Sequence, residues 1–138
     1  MFLKTASQQG LDSNNLLKRV THIITEISRT TESIDLLSEN DLPGFGQSMN
    51  QSGQSALDNY DLDDDTPELR YLFNSMKQMP NVLGVRNMGG GFSAVVLALL
   101  KNSEIDSFKK TTKDNYMNKY NSELKYIVFT PSAGTSVL

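Results

Sequence analysis

The chain has 138 residues, no cysteine, one histidine, a formal net charge of −3 and a pI near 5.1. That is one domain's worth of sequence. It lacks thiolate chemistry, a disulfide framework, a Cys-based zinc site and the basic footprint of nucleic-acid or anionic-membrane binding, and a single histidine excludes a His-rich metal site.

Residues 1–11 are polar and unpatterned, which predicts a flexible lead; they hold no apolar core of a secretion signal, so the cytoplasm is the expected location. From Asp12 or Ser13, apolar residues fall at Leu16, Leu17, Val20, Ile23, Ile24, Ile27, Ile34 and Leu37. The spacing predicts a long helix with one buried stripe, ending near Asn40. Off that stripe, His22, Glu26, Arg29 and Glu32 stand three or four apart and form a ladder on a second face. The local sequence shows no catalytic partners for His22, which reads as a structural or surface histidine. Asp41-Leu42-Pro43 restarts a helix, with Asp41 as N-cap and Pro43 in the first turn, and Phe45, Met49 and Leu57 mark its buried side.

Asp58 to Asp65 carries five aspartates. Their spacing is not that of a Ca²⁺ loop, and acids on a loop ahead of a helix N-terminus read as solvated carboxylates favoured by the dipole, against a metal site as the alternative. Thr66-Pro67-Glu68 opens a third helix with the stripe Leu69, Leu72, Phe73, Met76 and Met79, closed by Pro80-Asn81.

The stretch Gly84 to Leu100 organises the rest. Phe92–Leu100 is nine residues without a charge, the pattern of a central strand buried on both faces. Ahead of it, Gly89-Gly90-Gly91 lets the backbone take positive φ and approach another backbone or an anion closely. A phosphate loop needs a Lys-Ser/Thr and a helix next; a strand follows, so a hairpin turn between Val82–Met88 and Phe92–Leu100 stands beside the ligand-loop reading. Ser103-Glu104-Ile105-Asp106 then opens a helix in capping-box fashion, with Ile105, Phe108, Met117 and Tyr120 on one face and a weakly helical middle from Lys109 to Asp114. Leu124 to Thr130 reads as a last strand ended by Pro131. The order helix, helix, helix, strand, strand, helix, strand is that of an α+β fold with helices packed on a small, mainly antiparallel sheet.

Several stretches resemble one family in consecutive order. They are His22-Ile23-Ile24-Thr25-Glu26 with Arg29-Thr30; Phe45-Gly46-Gln47-Ser48-Met49-Asn50; Ser55 with Asp58-Asn59-Tyr60; Thr66-Pro67-Glu68-Leu69; Gly84 to Phe92; and Pro131-Ser132-Ala133-Gly134. Together they resemble the C-terminal part of galactokinases, members of the GHMP sugar kinases. The resemblance implies a ferredoxin-like C-terminal domain spanning 12–138. It also implies that the complete enzyme, with ATP and Mg²⁺, phosphorylates galactose to galactose 1-phosphate. The sugar-recognition segment, the phosphate-cradling loop and the catalytic aspartate of that family have no counterpart here, so this chain alone is expected to be inactive, to carry no catalytic or metal-binding residue and to bind neither cofactor by itself.

The family's third motif maps onto Arg86, Asn87, Met88, Gly89, Gly90, Gly91 and Phe92, near substrate and phosphate loop. Met88 stands where a threonine is usual, Ser93-Ala94 where a glycine pair is, and Gly53 where a histidine is common. The resemblance implies an N-terminal kinase lobe as partner, or self-association through the face that lobe would cover, with no nucleic acid and no membrane. A non-catalytic sugar- or protein-binding module built on the same scaffold is the alternative, and a GHMP kinase for arabinose or a uronic acid fits the same residues.

Overall fold

The computed structural model describes residues 12–89 and 94–131. Helix α1 (Ser13–Ser38) begins where Asp12 Oδ1 accepts the N–H groups of Asn14 and Asn15 at 2.9 and 3.3 Å. Asp41 does the same for α2 (Leu42–Tyr60), taking the Gly44 N–H at 2.9 Å. Both caps satisfy amides that a helix start leaves without internal partners. Helix α3 (Pro67–Lys77) starts at the expected proline, although Thr66 makes no side-chain cap bond. Strands β1 (Val82–Asn87) and β2 (Val96–Leu100) pair antiparallel, with Val85 opposite Ala98, Asn87 opposite Val96 and an irregularity between Val82 and Gly84. A short 3₁₀ turn (Asn102–Glu104) leads into α4 (Ile105–Tyr120).

The core is a compact set of apolar side chains from α2, α3, β1 and α4: Leu57, Leu69, Leu72, Phe73, Met76, Val85 and Phe108. Helix α2 lies close over β1 because two glycines face each other. A Cβ on Gly46 would stand 2.2 Å from the Leu83 carbonyl oxygen, and one on Gly84 would stand 2.5 Å from that of Gly46. On this side the Val85 N–H finds Asn50 Oδ1 at 2.8 Å in place of another strand. That bond satisfies a buried donor which a helix backbone cannot serve.

Four expectations are corrected. Of the strand read as Phe92–Leu100, Phe92 and Ser93 lie outside the described residues, Ala94 and Val95 are not in the ladder, and β2 spans Val96–Leu100, all five half-buried because β1 is its one neighbour among the described residues. Leu124–Thr130 forms no ladder: Leu124 and Tyr126 pack against the core and the Tyr126 hydroxyl bonds to α4, at 2.8 Å from Thr112 Oγ1 and 3.2 Å from the Lys109 carbonyl. Strand propensity alone does not make a ladder, and side chains hold this segment instead. Helix α4 is not capped by Ser103; the 3₁₀ turn winds directly into it, and it runs unbroken through the polar middle with Phe108 and Thr112 buried, Tyr116 half-buried and Met117 exposed. Finally, no residue of α1 is buried: Leu17, Ile23, Ile24, Ile27, Ile34 and Leu37 are all exposed, and the helix turns its polar ladder inward.

Candidate functional site, a polar seam beside the glycine turn

On α1, positions 19, 22, 26, 29 and 33 recur at three- and four-residue spacing, so Arg19, His22, Glu26, Arg29 and Ser33 share one face. Helix α2 answers with Ser48, Ser52, Ser55 and Asn59 at the same spacing, and the three serines are small enough for the helices to close up. The pairs then form in register. Ser33 Oγ lies 2.9 Å from Ser48 Oγ, the Ser52 hydroxyl donates to Glu26 Oε2 at 2.6 Å, and His22 Nδ1 lies 3.0 Å from Ser55 Oγ. Arg19 closes the end of the seam, donating to the Asn59 carbonyl at 2.7 Å and to Asp61 at 2.8 Å. Glu32, the last rung expected on this ladder, is exposed.

His22 stands among cations. Burial lowers its pKa from the ordinary value, and Arg29, Arg86 and Arg19 lower it further. Asn59 donates to Ser55 Oγ at 3.1 Å, so this one hydroxyl joins Asn59 and His22 Nδ1. The ring also packs at 5.2 Å on Tyr60, and Arg19 lies over the Tyr60 ring at 4.7 Å. This is the structural histidine that the sequence suggested.

Glu26 joins the seam to the glycine turn. Besides Ser52 it pairs with Arg29, and it lies 3.7 Å from Arg86 on β1. One carboxylate therefore touches α1, α2 and β1. Strand alternation sends Arg86 outward, 51% of its side chain exposed, while Asn87 turns inward with Val85 and is 5% exposed. Buried there, Asn87 Oδ1 has no hydrogen-bond partner among the described residues.

The Met88 N–H closes the hairpin onto the Val95 carbonyl at 2.9 Å, with the Met88 side chain 49% exposed. Gly89 has φ +64° with nothing within 4 Å of where a Cβ would stand, a conformation that asks for glycine on backbone grounds alone. Gly90, Gly91, Phe92 and Ser93, and the Ser132-Ala133-Gly134 part of the terminal landmark, lie outside the described residues. Of the motif read in the sequence, the structure brings Arg86 to Glu26 and sends Asn87 to the opposite face. Glu26 and Asn50 emerge as the residues that tie the motif to the helices; periodicity marked the first as part of a ladder and gave no sign of the second.

The acidic run behaves differently from the solvated loop expected. Asp58 and Asp63 both accept from Arg70, which also reaches the Leu57 carbonyl at 3.0 Å, and Asp61 is held by Arg19 with Lys18 at 3.6 Å. These bonds staple the α2–α3 corner and raise the pKa of Arg70. Among the described residues no three His, Cys, Asp or Glu side chains converge where a metal ion could sit. Nor, among them, is any helix long and apolar enough to cross a membrane.

No family model matches the chain. Curated relatives do: a galactokinase of Clostridium perfringens is 33% identical over 128 residues, 93% of this chain and 33% of the relative, and one of Mannheimia succiniciproducens is 30% identical over 95% of this chain and 34% of its own length. The crystal structure of Lactococcus lactis galactokinase complexed with galactose superposes with a TM-score of 0.65 at 28% identity, covering 79% of this chain and 28% of that one. The chain spans about a third of the length of the curated relatives it matches.

Proposed function

Taking the chain as a galactokinase-type C-terminal domain, as its sequence and fold make it, we propose that it serves as one lobe of a galactokinase-like sugar kinase and is inactive without the other. The observation that carries this reading is the match to galactokinases along 93% of the chain, confined to a third of the relative. In the complete enzyme the γ-phosphoryl of ATP would pass to galactose. Phosphoryl transfer is positioning and charge neutralisation around the phosphates.

The described residues of this chain contribute to the positioning. Glu26 braces Arg86 at the mouth of the hairpin, Asn50 fixes β1 against α2, and Gly89 opens the turn. With no converging acidic set among the described residues, Mg²⁺ and the ATP phosphates would be held by the complementary lobe. The chain would then act as the wall against which that lobe closes.

The test is to combine the chain with the N-terminal two-thirds of the Clostridium perfringens relative and assay ATP- and galactose-dependent phosphate transfer. Activity in the mixture and none in either part supports the proposal. A folded, associated mixture without activity refutes it, as does turnover by the chain alone. The second reading, a non-catalytic sugar- or protein-binding module, draws on Met88, whose exposed thioether replaces a hydroxyl at the turn. Calorimetric titration of the chain alone with galactose and with ATP separates the two, since saturable sugar binding belongs to the module.

A further inference from the structure

Helix α1 carries a long apolar face that the seam does not use. Leu17, Val20, Ile24, Ile27 and Ile34 follow one another at alternating steps of three and four, with Thr31 completing the series between the last two. These are the a and d positions of a heptad. Four of the five apolar members are exposed, from 48% at Leu17 to 65% at Ile27 and Ile34. The flank on one side adds Ile23 and Leu37, each 50% exposed. At 1.5 Å per residue the stripe from Leu17 to Leu37 is roughly 30 Å long.

From this we infer that the outward face of α1 is the seat of the complementary kinase lobe, covered by an apolar helix of that lobe. The inference rests on the kinase-domain reading above and adds where the lobe docks. Apolar residues at a, d and one flanking position are the pattern of a helix inside a globular body, whereas a seam of a and d alone belongs to a two-stranded coiled coil. A second copy of this chain is disfavoured by charge: of the six flanking positions from Thr21 to Leu37, Asp35 alone is charged, so α1 paired with itself would lack the opposite-charge pairs that specify such a coil.

Relatives three times as long supply the missing body. A shallow, open groove lies between stripe and seam, lined by His22, Ile23, Glu26, Ile27 and Tyr60 among others.

The test co-expresses the full chain with the N-terminal two-thirds of the Clostridium perfringens relative and measures the complex by co-purification and sedimentation. The double substitution Ile24→Glu with Ile27→Glu is expected to weaken association at least 100-fold and to leave the chain's own thermal melt in place. Thr31→Glu, a single change at an exposed hydroxyl, serves as an independent variant should the double one misfold. Ile127→Glu, the same chemical change elsewhere on the surface, is expected to bind as wild type does. Variants that bind like wild type overturn the seat and leave the kinase reading standing, while a wild-type chain that forms no complex sinks both. A wild-type dimer that the variants break and the lobe does not displace assigns the face to a second copy and overturns the inference.

Discussion

Helix α2 meets the rest of the fold through two opposite chemistries. Toward α3, β1 and α4 it offers Leu57 to a dry cluster in which Phe73, Leu69 and Val85 are fully buried. Toward α1 it offers Ser48, Ser52 and Ser55 to Ser33, Glu26 and His22, and the Asn59 carbonyl to Arg19. The apolar side is held by burial, at about 25 cal/mol per Å² removed from water, and tolerates no loss of volume. The polar side is held by mutual satisfaction, where each bond is worth roughly 0.5–1.5 kcal/mol net and the cost comes from leaving a partner stranded. Global stability should therefore reside in the first region, and the sensitivity to solution conditions in the second.

The largest effect should come from emptying the apolar side. Phe73→Ala, at a side chain with no exposed surface, is expected to lower unfolding stability by about 3–5 kcal/mol in urea melts. A loss below 1 kcal/mol would show that the cluster is not the seat of stability. A finer test lies at Gly53, where a Cβ would stand 2.4 Å from the Phe73 ring. Gly53→Ala should cost roughly 1–3 kcal/mol through overpacking despite its better helix propensity. In a Phe73→Val background the same change should become neutral or stabilising; equal costs in both backgrounds would dissociate the two positions.

How much of this was legible in the residues divides along the same line. Asp12, Asp41 and Pro67 announced the helix starts, and Leu69, Leu72, Phe73 and Met76 announced the α3 core face, because caps and a 3.6-residue period are local properties. The stripe of α1 was read as buried and stands exposed in this chain, since periodicity marks an apolar face and not what lies against it. The segment Leu124–Thr130 misled for a related reason: β-branched and aromatic residues suit a strand, yet pairing depends on an edge that local sequence cannot display. At the glycine turn the hairpin reading was readable from spacing, whereas the braces Glu26 and Asn50 come from elements dozens of residues away.

Asn87 is an exception to the rule that the apolar side is dry. Its Oδ1 is buried without a partner among the described residues, so replacing the amide with a hydrocarbon of similar size removes an unpaid desolvation cost. Asn87→Leu should raise stability by roughly 1–2 kcal/mol. If the same variant, paired with the complementary lobe, loses activity while gaining stability, the orphaned oxygen has a function in the assembled enzyme. Lower stability would show that the oxygen is satisfied in solution.

The smallest effect, and the one that belongs to the polar side, is on pH. His22 is the chain's one histidine, and burial with Arg29, Arg86 and Arg19 around it lowers its pKa below the unfolded value near 6.5. Above 6.5 the ring is neutral folded or unfolded and costs nothing. As pH falls below 6.5, the unfolded chain takes up a proton that the native seam resists, so stability declines until the lower native pKa is reached. Between pH 7.5 and 5.5 the thermal midpoint of the wild type should drop by a few degrees, and His22→Asn should flatten that slope. The single imidazole resonance in a proton NMR titration gives the native value directly. A midpoint at or above 6.5, or an unchanged slope in His22→Asn, would mean that the arginines do not press on the ring and that the seam is looser than its hydrogen bonds indicate.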